Sequence, residues 1–284
     1  MYPTSVTNGG AHAVKVTFYA GTTDQSTKIA DAPIIFVSNN QINTIVPAAV
    51  ASHTADGVNI QVSVNAITND VNNPFTMTVA PAVPGVFTPT GSGRGAAAVL
   101  NSDWSLNSSN ATAAAHGTGI HIYATGLGVP GAGTTDTYNA SPAAYPGNCV
   151  STAGYLGILT GGLPPLTPGG SVAGAALGAA ADPAVLLSID GAVMRSAYLY
   201  GNLLPPCFAT ATSAGVQVKF GTSTTAIAPT YAGFVSDSVA GLYQIDVTLP
   251  ATFTPAAVSS GGPMAMTIYV NGVASQTGVN VYVK

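Results

Sequence analysis

The chain has 284 residues of which 6% are charged, and its net charge is −4. Six scattered basic residues cannot displace the counterions of a nucleic acid, so that partner is excluded. No run of 18 apolar residues predicts a transmembrane helix, and no targeting segment is visible at Met1–Thr4. All ten acidic residues are Asp, and good exposed helix formers are scarce, whereas Val, Ile, Thr and Tyr are plentiful beside 33 Gly and 20 Pro. That composition predicts an all-β chain with many turns.

In chain order, the first strand expected is Val14–Phe18, with Val14, Val16 and Phe18 on one face. Ala32–Ser38 leads into the alternating run Gln41-Ile42-Asn43-Thr44-Ile45-Val46-Pro47, then Gly57–Val64 alternates over four periods and Phe75–Val79 ends the series. Pro81, Pro84 and Pro89 read as a linker. Ala96–Leu100 followed by Asn101–Ser105 reads as strand then turn, and Gly117–Gly128 as a strong strand with Ile120 and Ile122 inward. Residues 129–183 are rich in Gly, Pro, Thr and Ala, and Val185–Ile189 with Val193–Tyr200 reads as a hairpin through Asp190-Gly191.

From residue 216 the early order returns. Val216–Phe220, Phe234–Ser236, Gln244–Pro250, Met266–Gly272 and Val279–Val283 match the first series at offsets of about 202, 198, 203, 206 and 204. Five matches in one order predict an internal duplication. Short alternating strands with Gly, Pro and Asn turns predict two tandem immunoglobulin-like antiparallel β-sandwiches. The first spans 1–88; the second spans 89–284 with an insertion at about 129–215. Cys149 and Cys207 would close a loop of about 59 residues. In a charge-poor, extracellular-looking chain these two are read as a disulfide, which would stabilise it by on the order of 4 kcal/mol.

Three blocks, residues 32–47 ("APIIFVSNNQINTIVP"), 84–128 and 231–250 ("YAGFVSDSVAGLYQIDVTLP"), resemble a domain family of unknown function. That family lies at the C-termini of large secreted proteins of acidobacterial-type soil bacteria. The resemblance implies extracellular β-sandwich modules and brings no catalytic residue. Two departures matter: the connection 129–215 is longer than the family's, and the first module has no counterpart of the strand 117–128.

A sandwich without that strand carries an unpaired edge, a template for a strand from another subunit. Candidate donors are the segment Tyr2, Pro3, Thr4, Ser5 and Val6, or the insertion between 150 and 185; residues 1–7 filling their own groove is the alternative.

No chemistry is legible. His12, His53, His116 and His121 lack metal-ligand spacing, with His121 expected to face solvent. No nucleophile elbow or carboxylate pair is present, and nothing predicts a cofactor. Asn101-Ser102-Asp103 has the flavour of a calcium loop without its later ligands, and reads as a turn. The Asn-x-Ser/Thr triplets at Asn107, Asn110 and Asn139 are expected by chance in such a composition. Trp104, Tyr138, Tyr145, Tyr155, Tyr198 and Tyr200 are candidate interface aromatics. The expected function is a non-enzymatic extracellular structural protein whose copies self-associate into a filament, pilus-like fibre or surface layer. The alternative is a carbohydrate-binding or adhesion module that uses those aromatics on extracellular glycan.

Overall fold

The computed structural model describes residues 3–8, 12–21, 27–65, 67–68, 75–128, 193–194, 197–199, 202–204, 215–235, 238–239, 241–252 and 262–284. Among them the chain is strands and two short 3-10 helices, Ala48–Ser52 and Asn110–Thr112, without an α-helix. It divides into two compact units, Met1–Pro81 with Asp182–Val193, and Ala82–Ala181 with Met194–Lys284.

Unit 1 contains β1 (Val6–Asn8), β2 (His12–Ala20), β3 (Lys28–Asp31), β4 (Ile34–Val37), β5 (Ile42–Thr44), β6 (Val58–Val64), β7 (Ile67–Thr68) and β8 (Phe75–Met77). Its spine is the antiparallel pair β2–β6, in register from Val14 opposite Val64 to Ala20 opposite Val58. Alternation along the pleat sends Val16 and Phe18 inward with Val58, where Ala32 and Val50 meet them and Ile29, Ile42, Ile60 and Val62 pack around. Strands β1 and β3 pair with β2, strands β7 and β8 with β6, and β4–β5 is a separate hairpin.

The N-terminal segment makes contacts within its own chain. Tyr2 lies outside the described residues, but Val6 pairs with Val14 of its own β2, and the Pro3 carbonyl accepts from the Ile34 N–H at 2.8 Å. These contacts follow the alternative in which residues 1–7 serve their own unit. A hairpin partner a few residues away closes a short loop at small entropic cost.

The β2–β3 edge is the charged side of unit 1. Asp31 accepts from Thr17 Oγ1 at 2.7 Å and from Lys28 Nζ at 2.8 Å, with Lys15 Nζ at 3.4 Å. Burial alone would raise its pKa. The hydrogen bonds from Lys28 and Thr17, with the charges of Lys28 and Lys15, outweigh burial and hold the carboxyl below its usual 3.8. A depressed folded-state pKa contributes stability above the unfolded value, and that contribution is lost as pH falls through the folded one. Asp31→Asn is thus expected to cost unit 1 about 1 kcal/mol at pH 7. Denaturant titrations of the two proteins should converge as pH falls through the depressed folded-state pKa and the native carboxyl becomes neutral too.

Further along run β9 (Gly85–Val86), β10 (Gly95–Ala96), β11 (Val99–Asn101), β12 (Gly119–Thr125), β13 (Val193–Met194), β14 (Ala197–Leu199) and β15 (Asn202–Leu204). They are followed by β16 (Val216–Phe220), β17 (Tyr231–Phe234), β18 (Ser238–Val239), β19 (Tyr243–Thr248), β20 (Pro263–Val270), β21 (Val273–Ala274) and β22 (Val279–Tyr282). Unit 2 holds two five-stranded sheets, β11-β12-β19-β17 with β9 on β12, and β10-β22-β20-β16 with β21 on β20. The pairings are antiparallel except that of β10 with β22. Ile120, Ile122, Ala124 and Ile245 from the first sheet are fully buried, as are Val216, Val218, Ile268, Val279 and Val281 from the second. The hairpin expected through Asp190-Gly191 falls outside the described residues; the one observed pairs β14 with β15.

The pairs β2–β6 and β16–β20 share a register, whereas β4–β5 departs from it: Phe36 pairs with Asn43, but Phe234 pairs with Tyr243 rather than with Asp246. At the offsets read from sequence, Val16 and Phe18 of β2 correspond to Val218 and Phe220 of β16. Val16 pairs with Val62 and Phe18 with Ile60, while Val218 pairs with Ile268 and Phe220 with Met266. The β6–β8 pair Val58–Met77 likewise corresponds to Met264–Val281 of β20–β22, and the β6–β7 pair Val64–Ile67 to Val270–Val273 of β20–β21. Both hairpins turn on an Asn with positive φ, Asn65 at 55° and Asn271 at 49°, a conformation Asn tolerates better than most residues. Their N–H groups bond matching carbonyls, those of Ala13 and Gly215.

Candidate functional site

The correspondence locates what differs. In unit 2, the strand that follows the hairpin partner is covered: β19 pairs with β12 from Gly119–Thr248 to Ala124–Tyr243. In unit 1, the counterpart of β19 is β5, and among the described residues no strand pairs with its second edge. Backbone geometry fixes which groups lie there. Ile45 N–H donates to Pro33 C=O and Ser38 N–H to Gln41 C=O, so residues 41 and 45 face β4. Alternation turns the N–H and C=O of Ile42, Thr44 and Val46 to the opposite edge. The unit 2 counterpart of Val46 is Leu249, whose N–H bonds Thr118 C=O at 2.9 Å. Pro3 does not cover this edge, because Ile34 N–H points the other way from Pro33 C=O.

Side-chain exposure follows the backbone. Val46 is 59% exposed against 1% for Leu249; Phe75 and Met77 of β8 are 64% and 48% exposed against 0% for Val279 and Val281. In unit 2, β10 pairs on β22 and the next strand, β11, pairs on β12. The single stretch Gly95–Asn101 therefore closes both sheets at one side of the sandwich. Among the described residues no strand pairs with the second edge of β5, and no Asp, Lys or Arg occurs in 32–55 or 75–81.

A second constellation sits on the outer face of β12–β19. His121 lies opposite Asp246, and its Nδ1 is 2.8 Å from Asp246 Oδ1. Gln244 Nε2 donates to the same oxygen at 2.9 Å. Trp104 stacks on His121, ring centroids 4.2 Å apart and planes 3° from parallel. The indole is delivered by a pinned turn: Trp104 has φ of 65°, its N–H bonds Asn101 C=O at 2.8 Å, and Asp103 Oδ1 accepts from Ser105 N–H and Oγ. Those two bonds from Ser105 hold the exposed Asp103 carboxyl below its ordinary pKa. Burial and the nearby Asp246 carboxylate raise the phenol pKa values of Tyr123 and Tyr231. Asn101–Ser105 is thus a turn. His121 points away from Ile120 and Ile122 as expected but is not solvent-facing, because sequence alone did not reveal that Trp104 folds over it.

The Gln-x-Asp clamp has a twin. In unit 1, Gln41 Nε2 donates to Asn43 Oδ1 at 2.6 Å, at positions corresponding to Gln244 and Asp246. Here no His arrives from a neighbouring strand.

Of the other predicted site residues, Cys149, Cys207, Tyr138, Tyr145, Tyr155 and Tyr200 lie outside the described residues, and Tyr198 is placed in β14 by its backbone alone. Among the described residues no three of His, Cys, Asp and Glu converge. A shallow groove between Val83–Gly85, Arg94 and Ser275–Thr277 is a packing seam, since the Gln276 amide is spent on the Val86 N–H and C=O at 2.9 and 2.6 Å. Comparison of the chain with protein-family models, curated proteins and solved structures gives no match.

Proposed function

We propose that this is a non-enzymatic extracellular structural protein, two immunoglobulin-like sandwiches related by internal duplication, whose copies self-associate into a filament, fibre or surface layer. The observation that carries the reading is the contrast at matched positions. Leu249, Val279 and Val281 form core in unit 2, whereas Val46, Phe75 and Met77 stand exposed in unit 1. Contiguous exposed apolar surface beside an unpaired strand is what association removes from water. The low charge, 16 charged residues counted as 6 basic plus 10 acidic, leaves little electrostatic repulsion between copies. The natural material should elute far above its 28.0 kDa chain mass in size-exclusion chromatography, with regular assemblies in negative stain. A monomer at micromolar concentration would sink the reading.

Trp104 favours a second reading, glycan binding. One indole face lies on His121 while the residue keeps 58% exposure, leaving a flat surface for the C–H face of a pyranose beside Gln244 and Asp246. On this reading oligosaccharides quench the emission of the single Trp, and Trp104→Ala weakens binding by about 1–3 kcal/mol. A glycan array with no ligand removes it.

A further inference from the structure

We propose that the open side of unit 1 is a two-fold interface in which β5 of one copy pairs antiparallel with β5 of a second copy. This rests on the self-association reading and names its contact. An antiparallel strand edge is self-complementary, because each exposed residue offers both an N–H and a C=O. With Thr44 opposite Thr44, the free groups of Ile42 in one copy meet those of Val46 in the other. Thr44 and Val46 correspond to Val247 and Leu249, which are each 1% exposed beneath β12. The pairing thus continues the sheet β4–β5 into its twin and covers Val46 with Ile42.

Charge selects a second copy as the occupant. A two-fold axis at Thr44 brings the residues beside it next to their own duplicates, so a charge near the axis would meet a like charge. Protein edges are ordinarily guarded by charged side chains, Lys above all. Unit 1 guards its other edge in this way, with Lys28 and Asp31 on β3 and Lys15 beside them. The segments that carry β5 and β8 hold no Asp, Lys or Arg over 32–55 and 75–81. Exposed Phe75 and Met77 lie on β8, the counterpart of β22. They enter the same interface by the relation Gly95–Asn101 establishes in unit 2. The β5–β5 contact closes on itself, so a longer assembly adds a second contact elsewhere on the molecule.

The test uses the full chain. Thr44→Cys should give, under oxidation, a covalent dimer whose peptide map shows position 44 of one copy disulfide-linked to position 44 of the other, since directly opposed antiparallel residues lie about 5.5 Å apart between Cα atoms. Val46→Lys and Phe75→Lys, at positions too exposed to unsettle the fold, should each raise the dissociation constant about tenfold or more in sedimentation analysis. Unchanged association in both Lys variants would overturn this contact while leaving self-association standing. No association in the unsubstituted protein would remove both. A disulfide from position 44 to any segment other than its own duplicate would replace the two-fold pairing with a strand donated from elsewhere.

Discussion

Asn107→Ala is expected to destabilise unit 2 by about 3–5 kcal/mol, the largest effect of any single polar substitution considered. Asn107 is fully buried. Its Nδ2 donates to Asn101 Oδ1 at 2.9 Å and to Tyr282 C=O at 2.8 Å, and its Oδ1 accepts from Tyr282 N–H at 2.7 Å. One side chain therefore ties the turn after β11 to β22, the strand between β10 and β20. Alanine leaves the Tyr282 N–H and the Asn101 amide oxygen without these partners, while Tyr282 C=O keeps the Ala114 N–H at 2.9 Å, and each buried unsatisfied group costs about 1–3 kcal/mol. Asn107→Asp keeps the acceptor but turns a carboxylate toward two oxygens, so it should rescue nothing. Asn110→Ala, at an exposed site, should stay within about 0.5 kcal/mol. Trp104 belongs to unit 2, so denaturant curves followed by its fluorescence measure the effect. The same geometry shows that the Asn107-Ser108-Ser109 triplet is structural: a glycan on that amide would displace the bonds holding β22.

How much of this was legible follows from where the information sits. The strands β2, β6, β12, β16 and β19 were readable because half-buried strands force alternation into their own sequence. Pairing partners were not read from sequence, because no single strand encodes its register; the offsets of about 202 and 206 match the observed pairs of β2–β6 with those of β16–β20. Motif 41–47 was expected as one run; β5 stops at Thr44, and without a β12 beside it only one edge is hydrogen-bonded. For segment 3–8 the sequence left two partners open, because local pairing competes with intermolecular pairing and sequence does not state which edge is free. The Trp104–His121 stack depends on a left-handed residue at position 104 and on the chain returning to the same sheet at β12, and no local pattern announces that.

Gly126→Ala gives the second large effect and connects stability to assembly. Gly126 follows β12 with φ of +71°, and a Cβ there would lie 2.0 Å from Val83 O and 2.9 Å from Val83 C. The obstacle is backbone, which cannot rotate aside, and Val83 is itself bound through its N–H to Gly126 C=O at 2.9 Å. Strain and overlap together should cost about 3 kcal/mol or more. Gly93→Ala, with φ of +69° but open space around it, should cost only about 1 kcal/mol, which separates conformational strain from collision. The cheapest relief in Gly126→Ala is for Val83 to move off β12, loosening β9, which pairs with β12 through Val86 and Ala124. That movement uncovers the edge of β12 at Ala124 and Thr125, while β19 stays paired with β12, and so creates a new unpaired strand edge. The variant should therefore be cut by protease near 82–90 sooner than the unsubstituted protein, and its assemblies should grow larger at equal concentration. Faster cleavage with no change in assembly would mean that an uncovered strand edge alone does not bring copies together.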